Sequence, residues 1–284
     1  MSQQLGKMLA LVTVGIPVRN GGEFLAHALD SILGQSYRNL EIVVSDNGSD
    51  DQTAETMAKY CKLDRRIVYI RQREPIKAFD NFRFVLDQAK GVYFLWAAHD
   101  DFHSPDYIER LVHALEADSE AVLTFGDLLI TSPGNEQGTL RDYDFATEEL
   151  QWRRRMKKAA FTQCFHIYGV WRTSSLKSIP FAGNAWWPDL PVMIGAAFIG
   201  TFKYVPGPRF FYHEVPKTNL QRVQSQDYAA RFNIVAGVLG LIRASYISSA
   251  GVGGLFAGLY GAWLVISKQA RNLPGFLGRR LRWP

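Results

Sequence analysis

The strongest chemical signal in this chain is His99-Asp100-Asp101, which follows directly on the apolar run Val92-Tyr93-Phe94-Leu95-Trp96-Ala97-Ala98. Adjacent carboxylates at the carboxyl end of a buried strand make a hard oxygen site, suited to Mg2+ or Mn2+ held against phosphates. Two further acids have surroundings suited to separate tasks. Asp46 stands in Asp46-Asn47-Gly48-Ser49, a turn leading into a helix, where a carboxylate suits hydrogen bonding to a base or ribose. Asp189 lies between Trp187-Pro188 and Leu190-Pro191, neighbours that exclude water, raise a carboxyl pKa and make a better base. Asp142, Asp144, Glu148 and Glu149 compete for that base role, and His213 in Phe211-Tyr212-His213-Glu214 is a candidate late metal ligand. The plainer reading of Asp100-Asp101 is a helix cap, but Ser104-Pro105 fills that position.

These groups need a scaffold, and the hydrophobic pattern supplies one. Leu9 to Ile16 reads as a strand stopped by Pro17, and Phe24, Leu25, Ala28, Leu29, Ile32 and Leu33 recur at helical spacing up to Gly34. Glu41 to Ser45 is a second strand, after which Ser49 and Gln52 form a capping box for a helix burying Met57 and Cys61. Ile67 to Ile70 is a third strand, and Phe82, Val85, Leu86 and Ala89 share one face of the helix behind it. The strand at Val92 precedes a helix with Ile108, Leu111, Val112 and Leu115 inward, and Ala121 to Phe125 is a fifth strand. Five such alternations predict an α/β fold with a mostly parallel sheet and helices on both faces.

Other functions are disfavoured by what the sequence lacks. The first turn, Pro17-Val18-Arg19-Asn20-Gly21-Gly22, is not GxGxxG and no Walker A sequence occurs, so neither a dinucleotide cofactor nor a P-loop is expected. A net charge of +5 suits anionic phosphates or lipid headgroups and is too small to imply nucleic acid. Cys61 and Cys164, far apart and without CxxC spacing, suggest no disulfide framework or zinc site, and Met1 to Lys7 shows no signal pattern, so a cytoplasmic protein is expected.

Beyond residue 130 the alternation weakens. Ser132-Pro133-Gly134-Asn135 marks a turn, Arg153 to Lys158 is a basic helical face, Gly183 to Pro191 reads as an irregular loop, and Lys203 to Glu214 as a late strand pair. From Ala244 to Ser267 no charged residue occurs; as one continuous helix this stretch would reach about 36 Å, more than the ~30 Å hydrocarbon core of a bilayer. Its glycines lower that propensity, Gly254 and Gly258 form a GxxxG pair suited to close helix packing, and Arg271, Arg279, Arg280 and Arg282 follow as a basic flank.

Four stretches, in order, resemble the pattern of family 2 glycosyltransferases. They are Val14-Gly15-Ile16-Pro17-Val18-Arg19-Asn20, Glu41 through Asp46-Asn47-Gly48-Ser49-Asp50-Asp51, Ala98-His99-Asp100-Asp101 with Pro105, and more weakly Trp187-Pro188-Asp189-Leu190. Tyr168-Gly169-Val170-Trp171-Arg172 resembles an acceptor-side segment of the same enzymes. The resemblance implies a GT-A type, Rossmann-like α/β fold: a catalytic domain over 1–220, divided into a nucleotide-binding half (1–126) and an acceptor-binding half (127–220). A C-terminal helical extension, 221–284, is expected at the inner face of the cytoplasmic membrane, with a membrane span or a docked helical hairpin as the alternatives for its apolar stretch.

The implied reaction moves a sugar from a nucleotide-diphosphate donor, a UDP-sugar favoured, to a hydroxyl of a glycan or lipid-linked acceptor, with inversion. Carried over by position, Pro17, Arg19, Asn20, Asp46, Asn81, His99 and Asp100 would bind the nucleotide sugar. Asp100 and Asp101, with His213 as a candidate third ligand, would hold Mg2+ or Mn2+, and Asp189 would deprotonate the acceptor. The chain departs from the family at Ala98, where an acid is common, at Arg19, where an aromatic residue is frequent, and at Asn47. The Gln-x-x-Arg-Trp signature of processive synthases is absent, which favours one transfer per binding event. Ala98 also admits a second reading, a nucleotide-sugar-binding partner without catalysis. A nucleotidyltransferase is disfavoured because its glycine-rich activation loop is missing.

Overall fold

The computed structural model describes residues 9–141, 145–148, 150–162, 164–181, 189–214 and 234–280, with the side chains of 234–238, 240, 269–280 and Arg141 left undescribed. The elements before residue 117 follow in order: β1 (Val12–Val18), α1 (Phe24–Leu33), β2 (Leu40–Asp46), α2 (Thr53–Leu63), β3 (Ile67–Arg71), α3 (Ala78–Asp87), β4 (Tyr93–Trp96), β5 (Phe102–His103) and α4 (Tyr107–Glu116). β6 (Ala121–Ser132), β7 (Asn135–Arg141), α5 (Trp152–Phe161), a 3-10 turn (Cys164–Tyr168), β8 (Val170–Arg172), α6 (Thr173–Lys177), α7 (Asp189–Ile199), β9 (Thr201–His213) and α8 (Ile234–Arg280) complete it.

One sheet runs β3-β2-β1-β4-β8-β6-β9-β5, with β7 paired to β6. Its first four strands are parallel, so their carboxyl ends share one edge, and that edge receives Asp46 and the loop after Trp96. Strands joining later in the chain make the sheet mixed: β8 is antiparallel to both β4 and β6, while β9 runs parallel to β6. Strand alternation divides the apolar residues between two cores. Val14, Ile16, Ile42, Val44 and Leu95 face α1 and α4, whereas Val43, Phe94 and Trp96 face α3, α5 and α7. The expected inner faces of α1, α3 and α4 are the ones buried; Ile108, Leu111, Val112 and Leu115 are all fully enclosed.

Several local expectations are corrected. β1 continues through Pro17 to Val18, because β4 pairs only as far as Gly15 and Pro17 has β2 alone beside it, so no donor to β4 is missed. The Ser49–Gln52 capping box does not form. α2 begins at Thr53, whose backbone N–H donates to Asp51 Oδ1 at 3.0 Å, while the Ser49 hydroxyl accepts from Asn20 N–H at 2.9 Å. The late strand pair is one 13-residue strand, β9, with register shifts against β6. Leu190 and Pro191 lie in the first turn of α7, where a proline's missing N–H costs little, and not in a loop. Ser104 does not cap α4; its hydroxyl binds Asp106 instead.

The apolar C-terminal stretch is not one rod. Gly254 adopts φ 69° and ψ −166°, a conformation essentially reserved for glycine, and α8 folds there into two limbs. A Cβ on Gly258 would lie 2.7 Å from Ala250 Cβ, and one on Gly261 would lie 2.5 Å from Ser249 Oγ, so the limbs pack antiparallel through small residues. The break divides the apolar Leu241–Lys268 segment into two pieces of about 20 Å each, within limbs that run on to Ile234 and Arg280. The first limb packs on α7 and is tied to the α6–α7 connection by the Ser248 hydroxyl, which donates to the Pro180 carbonyl at 2.8 Å.

Candidate active site

The parallel edge of the sheet is organised by a clasp between two loops. After β1, Asn20 takes a positive φ of 53°, and its amide oxygen accepts from Asp50 N–H at 3.1 Å. Gly21 and Gly22 N–H donate to Thr53 Oγ1 and Asp51 Oδ2 at 2.9 and 2.8 Å, so the Asp46–Asp51 turn is pinned against the β1–α1 loop. Asp46 ends β2 with no solvent exposure, accepting from Ser49 N–H at 2.8 Å and from the Tyr69 hydroxyl at 2.7 Å, with Arg71 Nε 3.8 Å away. Burial and the Asp46 carboxylate together push the Tyr69 phenol up to about 12.

Asn81 reaches the same place from α3. It is 3% exposed, and its amide is spent on Ser45: Nδ2 donates to the carbonyl at 3.0 Å while Oδ1 accepts from the hydroxyl at 2.6 Å. In this conformation Asp46 and Asn81 shape the edge from within, whereas Arg19 and Asn20 are exposed on it. Pro17 is buried, and His99 is half-buried with its ring near Gly21.

After β4 the chain delivers Asp100 half-buried at the edge and Asp101 inward, 2% exposed. Asp101 Oδ1 accepts from the His213 backbone N–H at 2.8 Å, a tie from this loop to the end of β9, and Oδ2 is buried without a hydrogen-bond partner. Burial, with the Asp100 charge beside it, holds the Asp101 carboxyl well above the usual carboxylate range. The His213 ring is engaged elsewhere, its Nδ1 3.2 Å from Thr131 Oγ1 and its plane against Phe24.

Among the described residues no three His, Cys, Asp or Glu side chains gather to hold a metal, so Asp100, Asp101 and His213 do not form a ready-made three-ligand cage. A cation that takes one or two carboxylates and completes its shell with substrate phosphates and water needs no such cage. Asp100 at the edge and the orphaned Oδ2 of Asp101 behind it meet that smaller requirement.

Beside these acids a cavity of about 610 Å³ is lined by Phe79 and Phe82 of α3, Cys164, Phe165, Ile167 and Tyr168, Asp189 and Leu190 of α7, Tyr212 of β9 and Lys268 of α8. Asp189 opens α7, and burial raises its carboxyl pKa; the Cys164 thiol, its own N–H and that of Leu190 donate to it and oppose the rise. Burial, with Asp189 beside it, pushes the Cys164 thiol well up. Burial, reinforced by Asp101, Asp189 and Asp100, drives the Tyr168 phenol well above its ordinary value, so this hydroxyl feels all three acids. Tyr168, Tyr212, Cys164 and Lys268 are cavity residues that pattern reading did not single out, although the segments containing Tyr168 and Tyr212 each carried a signal.

The other residues of that segment are structural. Trp171 is fully buried and donates its indole N–H to the Ile167 carbonyl at 2.8 Å. Arg172 spans the carbonyls of Ala121, Leu115 and Asp118, closing the end of α4. Arg155, in the basic run, likewise binds the Ala197 and Phe198 carbonyls at the end of α7. Of the acids competing with Asp189, Glu148 is exposed, while Asp142, Asp144 and Glu149, together with Trp187 and Pro188, lie outside the described residues.

Residues 13–178, more than half of the chain, match the profile of glycosyl transferase family 2. The chain belongs to this family. GlyG, a glycosyltransferase of Streptococcus pneumoniae, is 25% identical over 83% of the chain and 69% of its own length. An uncharacterized glycosyltransferase of Rickettsia typhi is 35% identical over 40% of the chain, and the match takes in 35% of that relative's length. Among solved structures, S. aureus TarS 1–349 in complex with UDP-GlcNAc shares the fold at TM-score 0.67 and 14% identity, covering 93% of this chain and 72% of that one. The mannosyltransferase PcManGT from Pyrobaculum calidifontis, in complex with GDP-Man and Mn2+, aligns at TM-score 0.54 and 17% identity over 92% of this chain and 80% of its own. The family 2 match covers β1 through α6, the elements that form the parallel edge and Tyr168; Asp189 and Lys268 lie beyond it.

Proposed function

We propose that this family 2 member is an inverting glycosyltransferase. It moves a sugar from a nucleotide-diphosphate donor, a UDP-sugar favoured, to a hydroxyl of a glycan or lipid-linked acceptor, one transfer per binding event. The observation that carries this reading is the pair of acid sites linked by one phenol: Asp100 and Asp101 at the sheet edge, Asp189 in the adjoining cavity, and Tyr168 under the influence of all three. The UDP-GlcNAc and GDP-Man held by TarS and PcManGT support a nucleotide-sugar donor, and the Mn2+ of PcManGT supports a divalent ion.

In this reading the clasped loops after β1 and β2 receive the nucleoside, with Pro17, Asp46 and Asn81 forming the wall and Arg19, Asn20 and His99 reaching the phosphates. Asp100, backed by Asp101, would hold Mg2+ or Mn2+, whose charge neutralises the departing diphosphate. Asp189 takes the acceptor hydroxyl's proton as the new C–O bond forms on the face opposite the leaving group. The anomeric carbon–phosphate oxygen bond breaks, and its electron pair leaves with the nucleoside diphosphate. Burial suits Asp189 to this task, because it raises the affinity of the carboxylate for a proton.

The second limb of α8 exposes Leu255, Phe256, Leu259, Trp263 and Ile266 at helical spacing, with Phe256 80% exposed. Arg271, Arg279 and Arg280 follow on the same limb. Such a face suits peripheral attachment to an anionic membrane, here the inner face of the cytoplasmic membrane, where a lipid-linked acceptor would be met. Ala98 keeps the non-catalytic binding partner as the second reading.

The deciding experiment incubates the protein with a panel of nucleotide sugars, with and without Mn2+, and follows nucleoside diphosphate release. Metal-stimulated release from one donor is expected. Tight nucleotide binding without turnover on any donor or lipid-linked acceptor would refute the enzyme and leave the binding partner.

A further inference from the structure

Cys164 and Asp189 line one cavity from different elements, the thiol on the 3-10 turn and the carboxylate at the first position of α7. The turn is firmly held. His166 is buried with its ring stacked on Phe145, centroids 3.9 Å apart, and the Ile167 carbonyl accepts from the Trp171 indole N–H at 2.8 Å. Gly169 N–H closes the turn on the His166 carbonyl at 2.9 Å, and a Cβ on Gly169 would come within 2.3 Å of the Thr124 carbonyl oxygen, so the turn sits tight on β6. A side chain carried by such a turn acts from a fixed place.

The carboxylate needs a partner from outside its own helix. Two of its donors, its own N–H and that of Leu190, belong to the backbone of α7 and tie it only to the helix end. The Cys164 thiol donates from the other side, and it is the largest of the influences that oppose burial at this carboxyl. Burial, with Asp189 beside it, keeps the thiol protonated, so it acts as a donor and not as a thiolate nucleophile. The other titratable groups near Asp189 are Tyr168 of the same turn, Tyr212 of β9 and Lys268 of α8, the weakest of the influences on it. From α5, Arg155 is engaged at the far end of α7, and Lys177 of α6 donates to the Asp87 and Ala89 carbonyls.

We propose that Cys164 is the positioning residue of Asp189: its thiol donates to the carboxylate, fixes its plane, and leaves an oxygen lone pair facing the cavity, where an acceptor hydroxyl would sit. This rests on the reading of Asp189 as the general base. A weak donor suits the task, because S–H sets a direction while taking less of the carboxylate's proton affinity than O–H or N–H would. Residue 164 is thereby a place where the chain sets both the aim and the strength of its base.

The test follows the Asp189 carboxyl by carbon-13 NMR titration of the full chain in wild type, Cys164→Ser, Cys164→Ala and Cys164→Val, with Asp189→Asn to assign the signal. A donor to the charged form lowers a carboxyl midpoint, so Cys164→Ala and Cys164→Val are expected to titrate at higher pH than wild type, and Cys164→Ser at or below it. Because valine fills the space of the thiol without donating, agreement between Cys164→Val and Cys164→Ala separates the hydrogen bond from its volume. With the donor chosen by the panel, kcat should fall about three- to tenfold in both, the scale of one hydrogen bond, at unchanged KM for that donor. Cys164→Ser should restore most of the turnover, and the acid limb of the kcat profile should move with the NMR midpoint.

Equal midpoints in wild type, Cys164→Ala and Cys164→Val would overturn the proposal. So would a raised midpoint with kcat unchanged, or a Cys164→Ser variant as slow as Cys164→Ala, which would reduce the thiol to packing. The titration needs no turnover, so an inactive wild type would refute the transferase reading while the order of the midpoints still showed the thiol holding the carboxylate. Equal midpoints in an active wild type would refute the positioning role alone.

Discussion

Replacing Asp189 by Asn separates chemistry from architecture. The carboxylate accepts from the Cys164 thiol, its own N–H and the Leu190 N–H, and an Asn Oδ1 can receive the same donors, so α7 starts and the cavity keeps its shape. The proton acceptor is lost. General-base catalysis contributes about 10²- to 10⁴-fold, or about 3 to 5.5 kcal/mol on the barrier at 1.36 kcal/mol per decade. Turnover of the donor chosen by the panel, with water or acceptor as nucleophile, should fall by that factor, while affinity for the corresponding nucleoside diphosphate stays within about twofold of wild type.

The same substitution has a stability signature with a definite sign. Burial raises the folded pKa of Asp189 above its unfolded value, so the native state binds the proton preferentially between those two values. Native stability therefore falls as pH rises through that window, a cost that the non-titrating Asn does not carry. Urea denaturation is expected to show Asp189→Asn at least as stable as wild type at pH 7, with the advantage gone at low pH. A variant that keeps a tenth or more of the turnover would refute the base assignment. A variant less stable than wild type at pH 7 would refute the reasoning from burial.

Three further outcomes are expected. His103, sandwiched between Tyr107 and Phe210 with both ring nitrogens unpartnered, has its pKa lowered by burial to about 3. Protons therefore favour the unfolded chain between about pH 6.5 and 3, and stability present above that window is lost as pH falls. His103→Phe should gain about 2 kcal/mol on wild type at pH 5 beyond any difference at pH 8, by urea denaturation, and an equal difference at both pH values would contradict this. Gly15 in β1 leaves a Cβ only 2.7 Å from Val85 Cγ2 and 2.8 Å from Phe94 Cζ, so Gly15→Ala should destabilise by about 1 to 3 kcal/mol as α3 is forced off the sheet. Asp100→Asn and metal chelation should each weaken donor binding by about tenfold or more, and chelation should add little once Asp100 is gone; additive losses would place the ion elsewhere.

Much of the first half was legible because its interactions are local. Alternating strands and helices announce themselves through periods of 2 and 3.6, and the buried faces of α1, α3 and α4 were read from spacing alone. Errors arose where a residue's partner is distant. Ser49 looked like a helix cap, but its hydroxyl is taken by Asn20 from another loop. For Trp171 and Arg172 the pattern left acceptor contact and a buried strand edge both open, and the fold decides for the second: one fills the core and the other closes α4. Pro17 looked like a strand stop because pattern reading cannot tell which side of a strand lacks a neighbour.

Sequence by itself determined the family and the order of the α/β elements, and it marked Asp46, Asp100, Asp101 and Asp189 as candidates, since each of these is written in contiguous residues. Only the tertiary structure decided that Asp101 points inward to the His213 backbone, and that Asn81 is spent on Ser45. It also decided that the C-terminal stretch turns back at Gly254 and brings Lys268 to the cavity of Asp189. The physical reason is common to all of these. They depend on contacts between residues tens to more than a hundred positions apart, and such contacts are selected by packing of the whole chain, on which a local pattern carries no information.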